Sequence, residues 1–469
     1  MDVGGQARVE RKGAALVLLC VAQFVDVLDV NAVIVALHSI GQDLGFSQAG
    51  LQWVVSAYVL FFAGFLLLSG RVADLWGRRL TFVAGLAVFT AASLCCGLSV
   101  SPEMLVVSRA FQGLGAATTA PALSIITTIF AEGRERDRAV AAWTAVAAGG
   151  GAAGLLLGGF ITDVLGWEWI FFVNVPVGVA AIALSHVLLP ESRDPAASRR
   201  LDLLGAGTVT SGLVLLVLGL TRTEEAGFGS PTTLATLGLA ATFFGAFVFV
   251  ERRAVDPLVP LRLFRLHALV GAALVAFALT AATAPVGVLV TLYLQNTLGY
   301  SASLAGLAGL PFSLCVIAGS MMGGRISERI GGRVTMSLGL AVVAASALVT
   351  AGITAEGGVA YVLAGAALSG LGLGFASVAS TARGTSAVEE GKRGLASGFM
   401  NTSAQVGTAL GLAALLTLAA TRTAALSDGA ESAAVALVAG YRLAFLVTAG
   451  VASLGVVAAL YFFRQVKKS

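Results

Sequence analysis

Long apolar segments separated by short polar ones run through the entire chain of 469 residues. A helix that crosses the hydrocarbon core of a bilayer needs about 20 mostly apolar residues. Windows of this length predict spanning helices near residues 14–37, 51–70, 80–100, 103–129, 139–162, 170–189, 203–220, 232–250, 268–293, 301–323, 334–353, 358–379, 395–420 and 440–463. The pattern therefore predicts an all-α, polytopic membrane protein with about 14 transmembrane helices.

The positions of the basic residues test this count independently. If both termini are cytoplasmic, 25 of the 29 lysine and arginine residues lie in segments predicted to face the cytoplasm. Arg222 and Arg422 lie in predicted outer loops, whereas Arg109 and Arg442 lie in or at the edge of helices. Short cytoplasmic loops of membrane proteins carry an excess of basic residues. The charges therefore predict a multi-pass protein of the cell membrane with both termini in the cytoplasm.

An internal repeat divides the chain into two halves. Residues 70–79 read GRVADLWGRR and residues 324–333 read GRISERIGGR, each after a predicted helix and on the inner side. A second echo relates two pairs of glycines: Gly154 and Gly158, and Gly407 and Gly411. We therefore predict two pseudo-symmetric six-helix halves with an extra helix pair between them, an arrangement of six, two and six helices.

The repeat also predicts the boundaries of the parts. The predicted units are a cytoplasmic N-terminus (1–13), an N-terminal half (14–190), a linker with two transmembrane helices (191–266), a C-terminal half (267–463) and a cytoplasmic C-terminus (464–469).

Composition excludes several classes of protein. Hydrophobic residues make up 57% of the chain and charged residues 12%, about half the share of roughly 25% in soluble domains. All four cysteines lie in apolar stretches without metal-ligand spacing, so we expect packing residues and no metal or other cofactor. The basic residues are scattered among short loops, which gives no sign of a nucleic-acid partner. No loop carries a nucleophile, metal cluster or acid pair that would indicate an enzyme.

Six further segments follow one another in a family-specific order. They are LDVNAVIVAL (28–37), LQWVVSAYVL (51–60), SRAFQGLGAA (108–117), GWEWIFFVNVPVG (166–178), DPLVPLRLFR (256–265) and YLQNTLGYS (293–301). Together with the repeated G-x-x-x-D/E-x-x-G-x-R loop, they resemble the major facilitator superfamily. The extra central pair makes the chain similar to the fourteen-helix drug:proton antiporter branch of that family.

The resemblance implies a proton-coupled efflux transporter that works by alternating access and usually as a monomer. Its expected partners are protons, the lipid bilayer and small amphipathic or cationic drugs or antibiotics. Two departures from the family pattern leave alternatives open. Leu155 stands where the fifth-helix antiporter motif usually has Pro, so a dedicated exporter of one metabolite or an importing symporter is an alternative. Val30 and Asn31 stand where the first-helix signature normally has Thr and Ile, which could alter substrate choice.

Three ionisable residues are predicted inside the membrane. Asp26 and Asp29 are the acids that lie well inside a predicted helix, and their spacing places them on one helix face. Intramembrane acids are costly and commonly mark proton relays, ion paths or ligand counter-ions. At about 1.5 Å per residue, Asp29 and Arg109 lie roughly 12 and 10 Å below the outer ends of their helices. We therefore predict that they pair and couple to protons; the alternative is an ion pair that only orients helices.

The first copy of the repeated loop is a candidate gate. It contains Gly70, Arg71, Asp74, Gly77 and Arg78. The resemblance implies that Asp74 makes charge pairs that latch the cytoplasmic side while the cavity faces out. The alternative reading of the arginines is a topology signal alone.

Small residues recur along the predicted fifth helix, at Gly150, Gly154, Gly158 and Gly159. Glycines allow close helix contact in membranes. The sequence does not separate a static contact from a moving seam between the halves.

A substrate cavity is expected near the midplane between the halves. Polar and aromatic residues in the predicted helices are its candidate lining, although each is individually more often a packing residue: Gln23, Asn31, Trp53, Tyr58, Gln112, Asn174, Tyr293 and Asn401.

Overall fold

The computed structural model describes residues 3–47, 50–119, 122–130, 134–192, 202–227, 229–254, 257–389, 393–427 and 432–463. These residues form helices and contain no strand. Eleven helical segments among them are long and apolar enough to cross a membrane, and shorter apolar segments lie at Gln52–Leu66 and Gly149–Leu165. The predicted all-α class is thus confirmed. The predicted C-terminal tail, 464–469, lies outside the described residues.

Eight helices make up the N-terminal part. They are α1 (Val3–Leu44), α2 (Gln52–Trp76), α3 (Arg78–Gly97), α4 (Pro102–Thr119), α5 (Ala122–Ile129), α6 (Arg134–Leu165), α7 (Trp169–Phe172) and α8 (Asn174–Leu188). Two long helices follow, α9 (Leu203–Ala226) and α10 (Pro231–Arg253).

The C-terminal part begins after a short 3-10 helix at Leu261–Arg265. It comprises α11 (His267–Leu292), a π-helical turn (Tyr293–Thr297), α12 (Ala302–Ala308), α13 (Leu310–Ile330), α14 (Gly332–Thr350), α15 (Val359–Thr385), α16 (Arg393–Ser427) and α17 (Ala433–Phe462).

The predicted loop at 70–79 is largely helical, which corrects the sequence reading. Helix α2 continues to Trp76 and α3 begins at Arg78, so Gly70, Arg71 and the backbone of Asp74 lie in the last turns of α2. Gly77 alone separates the helices, with φ of 118°. Only glycine adopts such a conformation readily, so a single residue suffices for the reversal. Gly331 separates α13 from α14 in the same way, with φ of 84°.

Similar helix pairs form the core of each half. Helix α1 packs on α6 in the N-terminal half, and α11 packs on α16 in the C-terminal half. Helix α4 lies between α2 and α3, and α15 lies between α13 and α14. Helix α9 contacts α2 of one half and α16 of the other, while α10 packs on α9. The extra pair therefore touches both halves through α9.

The halves meet near the C-terminal end of α1, which we call the Leu44 side. The Asp163 carboxylate of α6 accepts hydrogen bonds from the backbone N–H groups of Ala302 (3.0 Å) and Ser303 (2.8 Å). It thereby caps the N-terminus of α12, where backbone N–H groups lack helical partners. On the same side, Gln295 Nε2 donates to the carbonyl oxygen of Val35 at 2.8 Å.

Candidate functional site

A fully buried ion pair lies inside the N-terminal half. Arg109 Nη1 of α4 is 2.6 Å from Asp29 Oδ2 of α1, and both side chains have 0% exposure. This is the contact that the predicted depths of the two residues along their helices indicated. Such a pair requires further hydrogen bonds to offset its desolvation.

Two amides complete the environment of the Asp29 carboxylate. Its Oδ1 atom accepts hydrogen bonds from Gln112 Nε2 at 3.0 Å and from Asn174 Nδ2 at 2.7 Å. Gln112 and Asn174 are themselves 0% and 1% exposed. Helices α1, α4 and α8 thus converge on one carboxylate. Donors held by α4 and α8 therefore contact both carboxylate oxygens of Asp29.

The Arg109 guanidinium has its own set of partners. Its Nε donates to the carbonyl oxygen of Val54 at 2.9 Å, and its Nη1 also donates to Gln112 Oε1 at 2.6 Å. The guanidinium carbon lies 4.5 Å from the ring centre of Tyr58 and 5.8 Å from that of Phe171. The buried Nη2 atom has no hydrogen-bond partner. The planar guanidinium therefore joins α1, α2 and α4, with one donor left unused.

Asp26 lies one turn before Asp29 and has a different partner. Its Oδ1 atom accepts a hydrogen bond from the Tyr58 hydroxyl. Tyr58 therefore links Asp26 to the ion pair. Its hydroxyl donates to Asp26, and its ring lies against the Arg109 guanidinium. Asp26 also borders a small void with Asn174. The structure therefore brings Asp26, Asp29 and Arg109 into one connected network.

A separate cavity of about 270 Å³ lies between the halves. Helices α1, α6, α11, α12, α13 and α15 supply its walls. Asn31 is the predicted lining residue that lies on this wall. Gln112, Asn174 and Tyr58 belong instead to the ion-pair network.

The other predicted lining residues lie elsewhere. The Tyr293 hydroxyl donates to the carbonyl oxygens of Thr354 (2.9 Å) and Gly357 (2.8 Å), and the residue is fully buried. Trp53 is partly buried against the main apolar core. Gln23 is partly exposed and Asn401 is exposed. None of these four lies on the wall of the 270 Å³ cavity as described.

The glycines of α6 serve two different contacts. A Cβ atom at Gly154 would lie 2.6 Å from the carbonyl oxygen of Leu28, and one at Gly158 would lie 2.5 Å from Cα of Ala32. Gly150 likewise faces Phe24, so these three pack on α1 within the same half. Gly159 faces the Ala302 backbone of the other half. The contact between halves therefore uses Gly159, whereas the other three hold α6 against α1.

The α2–α3 junction is tied to several neighbouring segments. Arg71 Nη2 donates to the carbonyl oxygen of Pro257 at 2.9 Å, and Arg78 Nη1 donates to Thr128 Oγ1 at 2.7 Å. A Cβ atom at Gly77 would lie 2.7 Å from Cδ of Glu191. The side chain of Asp74 lies outside the described part of the structure. The junction thus connects α2 and α3 to α5, to the end of α8 and to the linker.

Three groups that contribute to the ion-pair network or to the contact between the halves were not identified from the sequence. The Ser93 hydroxyl accepts from Gln112 Nε2 at 2.8 Å, the Val54 carbonyl accepts from Arg109, and Asp163 joins the halves. Ser93 and Val54 lacked any signal, because a hydroxyl or a carbonyl in an apolar helix is common. Asp163 had one: it is an acid at the predicted outer end of a helix. Within the described residues, no group of three or more His, Cys, Asp or Glu side chains could hold a metal.

Comparison with protein families gives a match along most of the chain. The family model described as Major Facilitator Superfamily matches residues 19–412 and residues 268–469. A transporter of the POT family, known from an in meso crystal structure, superposes with a TM-score of 0.69 at 16% identity. That likeness covers 96% of this chain and 97% of the other, and it concerns the fold.

Curated relatives are more similar in sequence. The chain is 42% identical over 428 residues to a cephamycin export protein from Amycolatopsis lactamdurans, covering 90% of this chain and 87% of the relative. It is 38% identical over 451 residues to a puromycin resistance protein from Streptomyces alboniger, covering 94% of this chain and 89% of the relative.

Proposed function

The chain belongs to the major facilitator superfamily, and from this premise we propose that it exports small amphipathic compounds in exchange for protons. It is a multi-pass membrane transporter whose relatives include export and resistance proteins for antibiotics. The proposal extends their export and resistance roles to this chain. The observation that carries the coupling part is the fully buried contact between Asp29 and Arg109.

We propose fourteen transmembrane segments in an arrangement of six, two and six. The first six are α1, α2, α3, α4 with α5, α6, and α7 with α8; the last six are α11, α12 with α13, α14, α15, α16 and α17. Helices α9 and α10 form the central pair. Support comes from the similar packing of α1 on α6 and α11 on α16. We further propose that both termini lie in the cytoplasm, which the positions of the basic residues support. We also propose that the transporter works as a monomer.

In this orientation the Leu44 side faces outward. The contacts of Asp163 and Gln295 join the halves there, so the described conformation fits the state that is closed to the outside. Substrate then enters from the cytoplasm, and rocking of the halves exposes the cavity to the outside. The α2–α3 junction, with Gly70, Arg71, Asp74, Gly77 and Arg78, is the proposed latch for the opposite state.

Asp29 is the proposed proton carrier. Ionised, it is held by Arg109, Gln112 and Asn174, as the described conformation has it. Protonation removes the charge that Arg109 pairs with and leaves a buried cation without its partner, which is unfavourable. The network therefore has two arrangements that differ in proton occupancy. We propose that Asp26, which accepts a hydrogen bond from Tyr58, takes part in the same exchange.

Inverted membrane vesicles test this function. Their interior corresponds to the outside of the cell, so an acidic interior should drive uptake of an exported, uncharged antibiotic such as chloramphenicol. We expect a protonophore to abolish this uptake, and Asp29→Asn to reduce it to the protonophore level at equal abundance. Asp43→Asn is the matched control, because Asp43 is an exposed acid on the same helix.

The outcomes separate the rivals. Uptake that ignores the gradient or the Asp29 substitution would exclude proton coupling at this site. Substrate extrusion from vesicles with an acidic interior would indicate an importing symporter. A transporter that accepts one class of compound alone would be a dedicated exporter.

A further inference from the structure

The cavity between the halves is uncharged. Its walls contain no acidic or basic residue among those the structure describes. Their polar residues are Asn31, Thr283, Thr291 and Ser369, and the remainder are apolar or glycine. A volume of about 270 Å³ is near the lower end of small-molecule pockets, which measure roughly 300–1,000 Å³. Its size and lining fit a compact, mostly apolar compound.

Asn31 is the carboxamide on this wall, and it offers more hydrogen-bonding sites than the hydroxyl groups of Thr283, Thr291 and Ser369. The hydroxyl groups of Thr283 and Thr291 each donate to a carbonyl of their own helix, at 2.9 Å. Asn31 Nδ2 donates one hydrogen bond to the carbonyl oxygen of Val27 at 2.8 Å. A carboxamide also has a second N–H and two acceptor sites on oxygen. Neither the second N–H nor the oxygen of Asn31 has a partner among the described residues.

Two polar side chains of α1 lie in different surroundings. Asp29 faces the ion-pair network with 0% exposure, whereas Asn31, two residues later, lies on the cavity wall. Residues two apart do not share a helix face. The absence of a side chain at Gly154 makes room for Asn31, because a Cβ there would lie 2.8 Å from Cβ of Asn31. The position of Asn31 is therefore set by the contact between α1 and α6.

The acids are not placed to balance a cation in this cavity. Asp29 is enclosed by Arg109, Gln112 and Asn174, and the Asp26 carboxylate accepts from Tyr58. An ion that leaves water for an apolar site without a counter-charge pays a large desolvation cost. The cavity wall therefore disfavours cations and anions alike.

We propose that this cavity binds an uncharged, mostly apolar compound, and that Asn31 selects it through a hydrogen bond to one polar group. The inference rests on the proposed export function for its biological meaning and narrows the substrate class to neutral molecules.

Three probes of nearly equal shape separate the charge classes. They are triphenylphosphine oxide, which is neutral and accepts hydrogen bonds, methyltriphenylphosphonium, a cation with a methyl group in place of the oxygen, and methyltriphenylborate, the matching anion. We would measure their dissociation constants by calorimetry with the full chain in lipid nanodiscs, without any gradient. The Kd of the neutral probe should be at least about tenfold lower than that of either ion.

Two substitutions at Asn31 test its role. Asn31→Ile should raise the Kd of triphenylphosphine oxide about threefold to tenfold, the value of one hydrogen bond. Asn31→Asp should lower the Kd of methyltriphenylphosphonium, because it places an acid on the wall. Gln42→Ile, at an exposed position of the same helix, should leave all three constants unchanged.

The proposal is overturned if either ion binds as tightly as the neutral probe, if the neutral probe does not bind, or if both Asn31 variants keep the wild-type constants. Because this assay needs no gradient, its result is independent of the vesicle assay. Neutral-selective binding without proton-driven uptake would leave the cavity assignment in place and remove the export mechanism. Proton-driven uptake together with equal binding of ions would support the export mechanism and exclude the cavity assignment.

Discussion

The two halves share a packing design but differ in what they bury. In the N-terminal half, Gly154 brings α6 against the backbone of α1 at Leu28; in the C-terminal half, Gly411 brings α16 against the backbone of α11 at Ala281. Helix α1 buries Asp29 along this contact, whereas the corresponding stretch of α11 buries alanines such as Ala282. The same helix contact thus surrounds a charged network in one half and small apolar residues in the other.

This difference indicates a division of labour. The N-terminal half contains Asp29, Arg109 and their amide partners, which we assign to the proton. The C-terminal half supplies most of the uncharged cavity wall, from α11, α12, α13 and α15. We propose that a charged site and a neutral site on opposite sides of α1 let proton and substrate influence each other through the position of this helix rather than by direct contact.

The largest effect is expected when the buried charges of the N-terminal half are replaced by apolar residues, as at the corresponding place in the C-terminal half. Arg109→Met leaves the Asp29 charge buried without its partner, which typically costs about 3–5 kcal/mol of stability. We expect a large fall in Tm in detergent. The double variant Asp29→Leu with Arg109→Met should recover part of the loss, since a buried ion pair replaced by apolar groups is often close to neutral. Equal Tm values for the single variant and the wild type would contradict the buried pair.

Arg109→Lys separates the functional reading from the orienting one. Lys keeps the charge but lacks the planar fork that reaches Val54, Asp29 and Gln112 together. We expect normal abundance in the membrane with coupled transport lost. Loss of abundance instead would indicate that the pair only orients helices.

A smaller effect should distinguish the two equivalent helix junctions. Gly77 and Gly331 both have positive φ, so alanine at either position costs about 1–3 kcal/mol of backbone strain. A Cβ at Gly77 would also displace the Glu191 carboxylate, which lies 3.6 Å from Arg79 Nε, whereas nothing lies within 4 Å of a Cβ at Gly331. Gly77→Ala should therefore lower Tm more than Gly331→Ala. Equal shifts would show that the Glu191 contact does not matter.

Much of this molecule was predictable because membrane helices obey simple rules. Segment length predicted the all-helical class, and the alternating direction of the predicted helices indicated that Asp29 and Arg109 lie at matching depth. Gln112 and Asn174 were predicted to line the cavity and contact Asp29 in the structure, because depth along a helix does not reveal which neighbour its face meets. The extent of α2 was underestimated, since one glycine replaced an expected loop. The cap that Asp163 makes on α12 depends on how the halves dock, which no local pattern contains.

The central claim is that the proton binds at Asp29 while the substrate binds in the neutral cavity, with the two events linked. The most direct measurement is the Kd of triphenylphosphine oxide as a function of pH, because this probe does not titrate. Exchange requires that substrate favours the deprotonated protein, so reciprocity predicts weaker binding as pH falls. In Asp29→Asn, a neutral isostere of the protonated acid, the Kd should stay at the acidic wild-type value at every pH. An unchanged pH dependence in Asp29→Asn would contradict the account.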